Sequence, residues 1–176
     1  MQIESTPIAG VHRIRFERVR DERGYFARVF DRAAFLRAGL CAEFPEHSIA
    51  RNERRGLIRG LHFQRAPHAE SKLIRCLRGR IFDVVVDIRE GSGTFGAWFA
   101  ETLDEDADTM LYIPEGCAHG YQTLSATSEV HYLISREFVP ASAAGIRYDD
   151  PRLAIAWPLA AALLSERDRA LGHLAP

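Results

Sequence analysis

The sequence predicts an all-β protein, a β-sandwich or barrel of the jelly-roll kind with a few short peripheral helices. Many short segments rich in β-branched and aromatic residues are separated by turn residues. Within Arg80–Arg89 apolar residues recur at every second position, which is the period of a strand. Helical patterns, by contrast, are few and short.

Eight strands are predicted in order along the chain. In the clearest of them, Arg80–Arg89, one face is wholly apolar and the other carries Asp83 and Asp87. Turn sequences such as Glu90–Gly93 and Pro114–Gly116 separate neighbouring strands. The predicted strands are Ile8–Phe16, Tyr25–Phe30, Leu57–Phe63, Lys72–Leu77, Arg80–Arg89, Thr94–Thr102, Met110–Ile113 and Glu129–Ser135.

Three short helices are predicted. The first covers Asp31–Ala38, with an aspartate as N-cap and Gly39 as stop signal. The second covers Leu159–Leu164. The third begins at Ser165, because Ser165 and Asp168 have the spacing of a capping box.

Bulk properties indicate one globular domain, residues 1–176, whose core needs no disulfides. The formal net charge of -1 offers no global attraction to nucleic acid. No apolar run approaches the roughly 18 residues of a membrane span. Met1–Ser5 lacks the features of a signal peptide, and Cys41, Cys76 and Cys117 show no C-x-x-C spacing. We therefore expect a cytoplasmic protein.

Three side chains on separate predicted strands could carry chemistry. His62, Lys72 and Tyr132 would supply a base, a cation for an oxyanion, and a proton donor. Taken singly, each also fits a structural role: a half-buried strand histidine, a solvated lysine and a core tyrosine. However, strand alternation directs Lys72 and Tyr132 inward with apolar neighbours, and an inward lysine is costly without a partner or a task.

Arg59 and His62 would lie on opposite faces of a regular strand, since they are three residues apart. A β-bulge at Gly60 would bring both side chains to one pocket.

No metal site and no cofactor are predicted. The turn Pro114-x-Gly116-x-x-His119 has the form of the second conserved motif of cupins, in which a histidine follows a tight turn. The earlier strand, however, offers His62-Phe63-Gln64 instead of His-x-His, and His68 and Glu70 lie in a proline-containing loop. Three converging nitrogen or oxygen ligands are therefore hard to assemble.

The chain resembles the dTDP-4-dehydrorhamnose 3,5-epimerase family nearly from end to end. The order and spacing of the matching stretches carry the resemblance. They are Asp21–Phe26, Arg59–Gln64, Lys72–Cys76, Phe82–Arg89, Gly93–Gly96, Ile113–Gly120, Gly145–Pro151, Trp157–Pro158 and Ser165–Asp168. The resemblance implies a cupin jelly-roll (double-stranded β-helix), a homodimer, and catalysis without metal.

The resemblance also implies a substrate, a 4-keto-6-deoxy sugar carried on a nucleoside diphosphate, with dTDP expected. The family's base falls on His62, its carboxylate partner on Asp168 and its acid on Tyr132. Lys72 would stabilise charge on the C4 oxygen, and His119 would lie in the same pocket.

Further substrate contacts are implied outside this catalytic set. Arg23 and Arg59 would clamp the diphosphate. Phe26, Arg28, His47 and Arg167 would complete the substrate site.

Some positions depart from the family pattern. Arg28 replaces a glutamate, His47 and Ile49 replace a glutamine and an asparagine, and Ala143 replaces an acidic residue. These departures leave open which nucleotide base is bound. Phe138 replaces a tyrosine, which leaves open whether one or two carbons are inverted.

Three functions remain as hypotheses. The first is epimerisation at C3 and at C5 through an enolate. The second is inversion at C3 alone. The third, from another class, is a non-catalytic or metal-binding cupin that binds sugars.

Overall fold

The structure, a computed structural model, describes residues 1–174. Its elements are β1 (Gln2–Ser5), β2 (His12–Arg15), β3 (Arg18–Asp21), β4 (Gly24–Ala27), α1 (Arg32–Arg37), β5 (Glu46–Asn52), β6 (Ile58–Gln64), β7 (Lys72–Arg78), β8 (Arg80–Asp87), β9 (Trp98–Asp104), β10 (Thr109–Ile113), β11 (Cys117–Thr123), β12 (Ser128–Ile134), β13 (Ala143–Gly145) and α2 (Glu166–Arg169).

Two antiparallel sheets form the body of the fold. One has the strand order β1-β2-β10-β7-β12-β5 and the other the order β13-β6-β11-β8-β9, while β3 and β4 form a separate hairpin. From β5 to β8, and again from β9 to β13, the chain alternates between the two sheets. This alternation produces a jelly-roll, so the predicted fold class is confirmed.

The core between the sheets follows from strand alternation. Ile74 of β7, Val85 of β8, Leu111 of β10 and Val130 of β12 are fully buried in one cluster. The wholly apolar face of β8 points the other way, where Val84 and Val86 pack against residues of the C-terminal segment. The face that carries Asp83 therefore points between the sheets.

The prediction for the first helix is confirmed. Asp31 caps α1 by accepting a hydrogen bond from the Ala34 N–H at 3.0 Å. Gly39 follows the helix with φ of 71°, the left-handed conformation that ends helices. Ser165 caps α2 as predicted, through a 3.0 Å hydrogen bond from the Asp168 N–H.

The predicted helix over Leu159–Leu164 is wrong. Backbone groups of this segment bond to the barrel instead of to one another. The Gln122 side chain pairs with both Leu159 N–H and Leu159 C=O, at 2.9 and 2.8 Å. The Ala162 N–H donates to the Gly56 carbonyl at 2.8 Å. These bonds satisfy the groups that a helix would have paired internally.

Cys41, Cys76 and Cys117 are free thiols, and the latter two are buried. Burial raises the pKa of Cys76 and of Cys117 to about 12, so both remain protonated thiols. Within residues 1–174, no helix is long and apolar enough to cross a membrane.

Leu111→Ala should lower the free energy of unfolding by about 2–5 kcal/mol, because it opens a cavity in the core between the sheets. Leu111 is 0% exposed. The matched control is Leu36→Ala on α1, where the side chain is 52% exposed and a loss within about 0.5 kcal/mol is expected. Urea unfolding measures both variants, and equal losses would contradict this description of the core.

Candidate active site

Two adjoining cavities open between the sheets. The Tyr132 cavity, of about 270 Å³, is lined by Ser48, Ala50, Arg59, His62, Lys72, His119, Gly120, Tyr121, Tyr132 and Ile134. The Phe138 cavity, of about 160 Å³, is lined by Glu46, His62, Phe63, Gln64, Glu70, Lys72, Ile134, Arg136, Phe138, Ala143 and Arg167. Both include His62 and Lys72, so they form one elongated site.

His62 pairs with Asp168 across 106 positions of the chain. The His62 Nε2 lies 2.6 Å from the Asp168 Oδ1. The His62 side chain is 34% exposed and the Asp168 side chain only 4%. The imidazole is therefore open to a ligand on one side and held by a buried carboxylate on the other.

The Asp168 carboxylate is held in its ionised form. Burial alone would raise the pKa of Asp168, but hydrogen bonds from His62 and from the Gly60 N–H outweigh burial, and the net pKa is lowered. The Gly60 N–H reaches Asp168 Oδ2 at 3.4 Å. The negative charge can thus stabilise a protonated His62 imidazole.

The predicted bulge at Gly60 is confirmed. The β6–β11 register shifts, so that His62 lies opposite His119 while Arg59 lies opposite Tyr121. Gly60 has φ of 124°, and a Cβ there would lie 2.5 Å from the Gly120 Cα. Only glycine fits this close approach. The irregularity brings Arg59 and His62 to the same cavity.

Lys72 projects inward, as strand alternation predicts. Its Nζ lies 3.0 Å from the Glu70 Oε1 and donates a hydrogen bond to the His62 carbonyl at 3.3 Å. The Lys72 side chain is 11% exposed. Glu70 therefore provides the partner that a buried lysine requires.

Tyr132 lines the same cavity as a neutral phenol. Burial raises the pKa of Tyr132 well above its ordinary value, and a contact with the Tyr121 hydroxyl adds to the increase. The Tyr132 ring centroid is 6.1 Å from that of His119. At neutral pH the phenol thus keeps a proton that it can give to a ligand.

A buried polar chain leads away from the Tyr121 hydroxyl. The Asn52 Nδ2 donates to the Tyr121 hydroxyl at 3.1 Å, and the Arg59 Nε donates to the Asn52 Oδ1 at 2.8 Å. The network fixes the Arg59 guanidinium at the cavity wall.

His119 is held by a carboxylate inside the barrel. The Asp83 Oδ2 lies 2.9 Å from the His119 Nε2, and the two side chains are 0% and 4% exposed. Burial raises the pKa of Asp83, while the adjacent His119 partly offsets that increase.

The structure separates the remaining predicted residues into two groups. Arg167 lines the Phe138 cavity. Arg23, Phe26, Arg28 and His47 line neither of the two cavities within the single chain.

Arg23, Phe26 and Arg28 belong to the β3–β4 hairpin and the residue that follows it. The Arg23 side chain is 85% exposed and forms an ion pair with Asp21 at 2.5 Å. Phe26 and Arg28 line a separate hollow together with Val19. His47 is exposed on β5, with its ring 5.8 Å from that of His131.

Of the positions that depart from the family pattern, some line a cavity and others do not. Phe138 and Ala143 line the Phe138 cavity. Ile49 is 63% exposed and lines neither cavity.

Sequence reasoning assigned no role in this site to Glu70, Asp83, Asn52 and Tyr121. Glu70 could have been found, because it stands two residues before Lys72 and a strand-like backbone would direct both to one side. In the described part of the chain, no group of three or more His, Cys, Asp or Glu side chains is arranged to hold a metal ion.

Comparisons with known proteins identify the family of the chain. A family model described as dTDP-4-dehydrorhamnose 3,5-epimerase matches residues 5–175. A relative of that name from Sinorhizobium fredii is 37% identical over 169 residues, covering 96% of this chain and 87% of the relative. A dTDP-4-dehydrorhamnose 3-epimerase from Streptomyces niveus is 36% identical over 170 residues, covering 96% of this chain and 82% of that protein.

A solved structure is similarly close. The dTDP-6-deoxy-D-glucose-3,5-epimerase of Legionella pneumophila, in complex with dTDP-4-keto-L-rhamnose, matches with a TM-score of 0.93 at 36% identity. The match covers 98% of this chain and 92% of that chain. With the two facing sheets, these likenesses confirm the predicted cupin jelly-roll. The chain belongs to the dTDP-4-dehydrorhamnose 3,5-epimerase family.

Proposed function

We propose that the protein is an isomerase that inverts C3 and C5 of a dTDP-linked 4-keto-6-deoxyhexose. The reaction is of the type that converts dTDP-4-dehydro-6-deoxyglucose to dTDP-4-dehydro-L-rhamnose. One observation carries the proposal: the imidazole of the His62–Asp168 pair, the Tyr132 phenol and the Lys72 ammonium line one cavity. The dTDP-4-keto-L-rhamnose bound to the Legionella relative supports the choice of nucleotide.

His62 acts as the base. The C4 ketone acidifies the hydrogens on C3 and C5, so proton removal gives an enolate. Asp168 accepts a hydrogen bond from the Nε2–H and so leaves Nδ1 free to take a proton from carbon. The carboxylate then stabilises the imidazolium, much as the acidic member of a catalytic triad does.

Lys72 and Tyr132 complete the reaction. The Lys72 ammonium stabilises negative charge on the C4 oxygen, because a cation in a water-poor site acts more strongly than in bulk water. Tyr132 gives its proton to the carbon from the opposite face and becomes a phenolate. The phenolate then takes a proton from solvent and the His62 imidazolium releases one to solvent, so both groups regain their starting protonation states. Repeating the two transfers at C5 gives double inversion.

The diphosphate is bound by guanidinium groups around the site. Arg59 and Arg167 line the two cavities, and both can form charge-assisted hydrogen bonds with phosphate oxygens. His119, fixed by Asp83, contacts the sugar.

A homodimer would bring the remaining predicted residues to the site. The β3–β4 hairpin exposes Val19, Tyr25 and Phe26, which are 64%, 49% and 69% exposed. Such an apolar surface is suited to a partner. The hairpin of a second copy would carry Arg23 and Phe26 to the substrate. Arg28 and His47 would lie at the nucleotide end of that substrate. We also propose a cytoplasmic location, in keeping with the free thiols.

Inversion at C3 alone is the second candidate. The Streptomyces niveus relative, a 3-epimerase by name, is similar over almost the whole chain. Phe138 also lacks the hydroxyl of the tyrosine that the family pattern has there. The metal-binding alternative gains no support from the ligand groups of residues 1–174.

Incubation with dTDP-4-keto-6-deoxyglucose in D2O tests the function and separates the two candidates. NMR should find one solvent deuteron at C3 and one at C5 of the product. Deuterium at C3 alone would assign single inversion. His62→Ala should abolish incorporation, whereas the exposed His173→Ala serves as a matched control with full activity. Absence of deuterium with the unaltered protein would refute the proposal.

Asp168→Asn should lower kcat by about 10²–10⁴-fold, because an amide neither fixes the imidazole tautomer nor stabilises the imidazolium.

The substitution also tests the lowered pKa of Asp168. A carboxyl with a lowered pKa stabilises the fold above its ordinary value of about 3.9 and loses that contribution as pH falls further. Urea unfolding should therefore show that the difference in the free energy of unfolding between the unaltered protein and Asp168→Asn becomes smaller below about pH 4. A constant gap would contradict the ionised pair.

A further inference from the structure

Glu70 is a buried acid at the wall of the proposed active site. It lies in the loop before β7, and its side chain is 5% exposed. Its Oε1 is 3.0 Å from the Lys72 Nζ, and both residues line the Phe138 cavity. Neither the base, the acid nor the diphosphate clamp described above uses this carboxylate.

The second oxygen of Glu70 has no protein partner. Among residues 1–174, the Oε2 is buried and accepts no hydrogen bond. Burying an ionised carboxylate is costly when half of it is unsatisfied. Apolar residues that replace a buried ion pair often keep or improve stability. Glu70 therefore contributes little to the stability of the fold, which indicates that its role is in the site itself.

The contacts of Lys72 show what that use is. An ammonium has three N–H donors. One points to the Glu70 Oε1 and one to the His62 carbonyl. These two contacts fix Nζ beside the base and leave one N–H for a ligand oxygen.

Glu46, the other acid that lines this cavity, is placed differently. Its Oε1 accepts a hydrogen bond from the Phe138 N–H at 3.2 Å. Lys72 forms its ion pair with Glu70 and not with Glu46. Of these two acids, only Glu70 is positioned to act through the ammonium.

We propose that Glu70 is a positioning residue that fixes the Lys72 ammonium in place and directs it at the C4 oxygen of the keto sugar. The proposal rests on the proposed function, because it assigns Lys72 the enolate oxygen. A ligand oxygen that accepts the third N–H lies nearer to the ammonium than to the carboxylate, so attraction exceeds repulsion. The cation then needs no reorganisation as charge develops on that oxygen.

Glu70→Gln is the test, since it keeps the shape of the side chain and removes its charge. With dTDP-4-keto-6-deoxyglucose, we expect kcat to fall about tenfold or more while KM changes less than about threefold. Glu70→Asp should recover part of the lost kcat, because it restores the charge on a shorter stem. The matched control is Glu101→Gln, which removes one of the two carboxylate partners of the half-buried Arg13, away from both cavities, and should leave kcat unchanged.

A double-mutant cycle separates positioning from general support of the fold. In a Lys72→Met background, adding Glu70→Gln should cost no further activity, because the ammonium is already absent. This comparison also decides the matter if Glu70→Gln alone is unstable, since the double variant buries no unpaired charge.

Several results would overturn the proposal. The first is an unchanged kcat in Glu70→Gln, and the second is a rise in KM with kcat unchanged. The third is that Glu70→Gln lowers kcat as much in the Lys72→Met background as it does alone. Inactivity of the unaltered protein toward the keto sugar is a different outcome. It would refute the proposed function itself, and the inference about Glu70 with it.

Discussion

The hydrogen bond between His62 and Asp168 is the interaction on which the site depends. It joins the middle of β6 to a helix of four residues near the C-terminus, 2.6 Å apart between the two polar atoms. The barrel and the C-terminal segment must therefore form together before the base is oriented. The Gly60 N–H, which also contacts Asp168, couples this pair to the bulge in the strand.

A polar interior is the second constraint. Asp83, His119, Lys72 and Glu70 are buried beside an apolar cluster. Lys72 pairs with Glu70 and His119 pairs with Asp83, so each ionisable group in this interior has a partner. The fold keeps this costly arrangement because the apolar core and the glycine contacts hold the strands in place.

Periodicity was enough to predict the fold class and the inward direction of Lys72 and Tyr132. It failed where tertiary contacts replace local ones. The segment Leu159–Leu164 has helical character, yet Gln122 and Gly56 of the barrel take its backbone hydrogen bonds. β5 was missed because its exposed, polar sequence at a sheet edge lacks clear alternation.

The same contrast between local pattern and tertiary contact holds for the predicted site residues. Residues on the central strands, His62, Lys72 and Tyr132, meet in one cavity because strand register fixes them. Asp168 joins them from far along the chain, where only the resemblance to a family could indicate it. Arg23 and Phe26 line neither cavity of the chain, because strand periodicity does not specify where a surface hairpin lies relative to the site.

In the proposed mechanism His62 and Tyr132 serve opposite faces of one sugar ring, and the Tyr132→Phe variant separates their two roles. Without the phenol, His62 can still remove the C3 proton, and its 34% exposed side chain can exchange that proton with solvent. In D2O we expect deuterium to enter C3 of the unreacted epimer while inverted product falls to a trace. Inversion at the unaltered rate, or no exchange at all, would contradict the division of labour between the two faces.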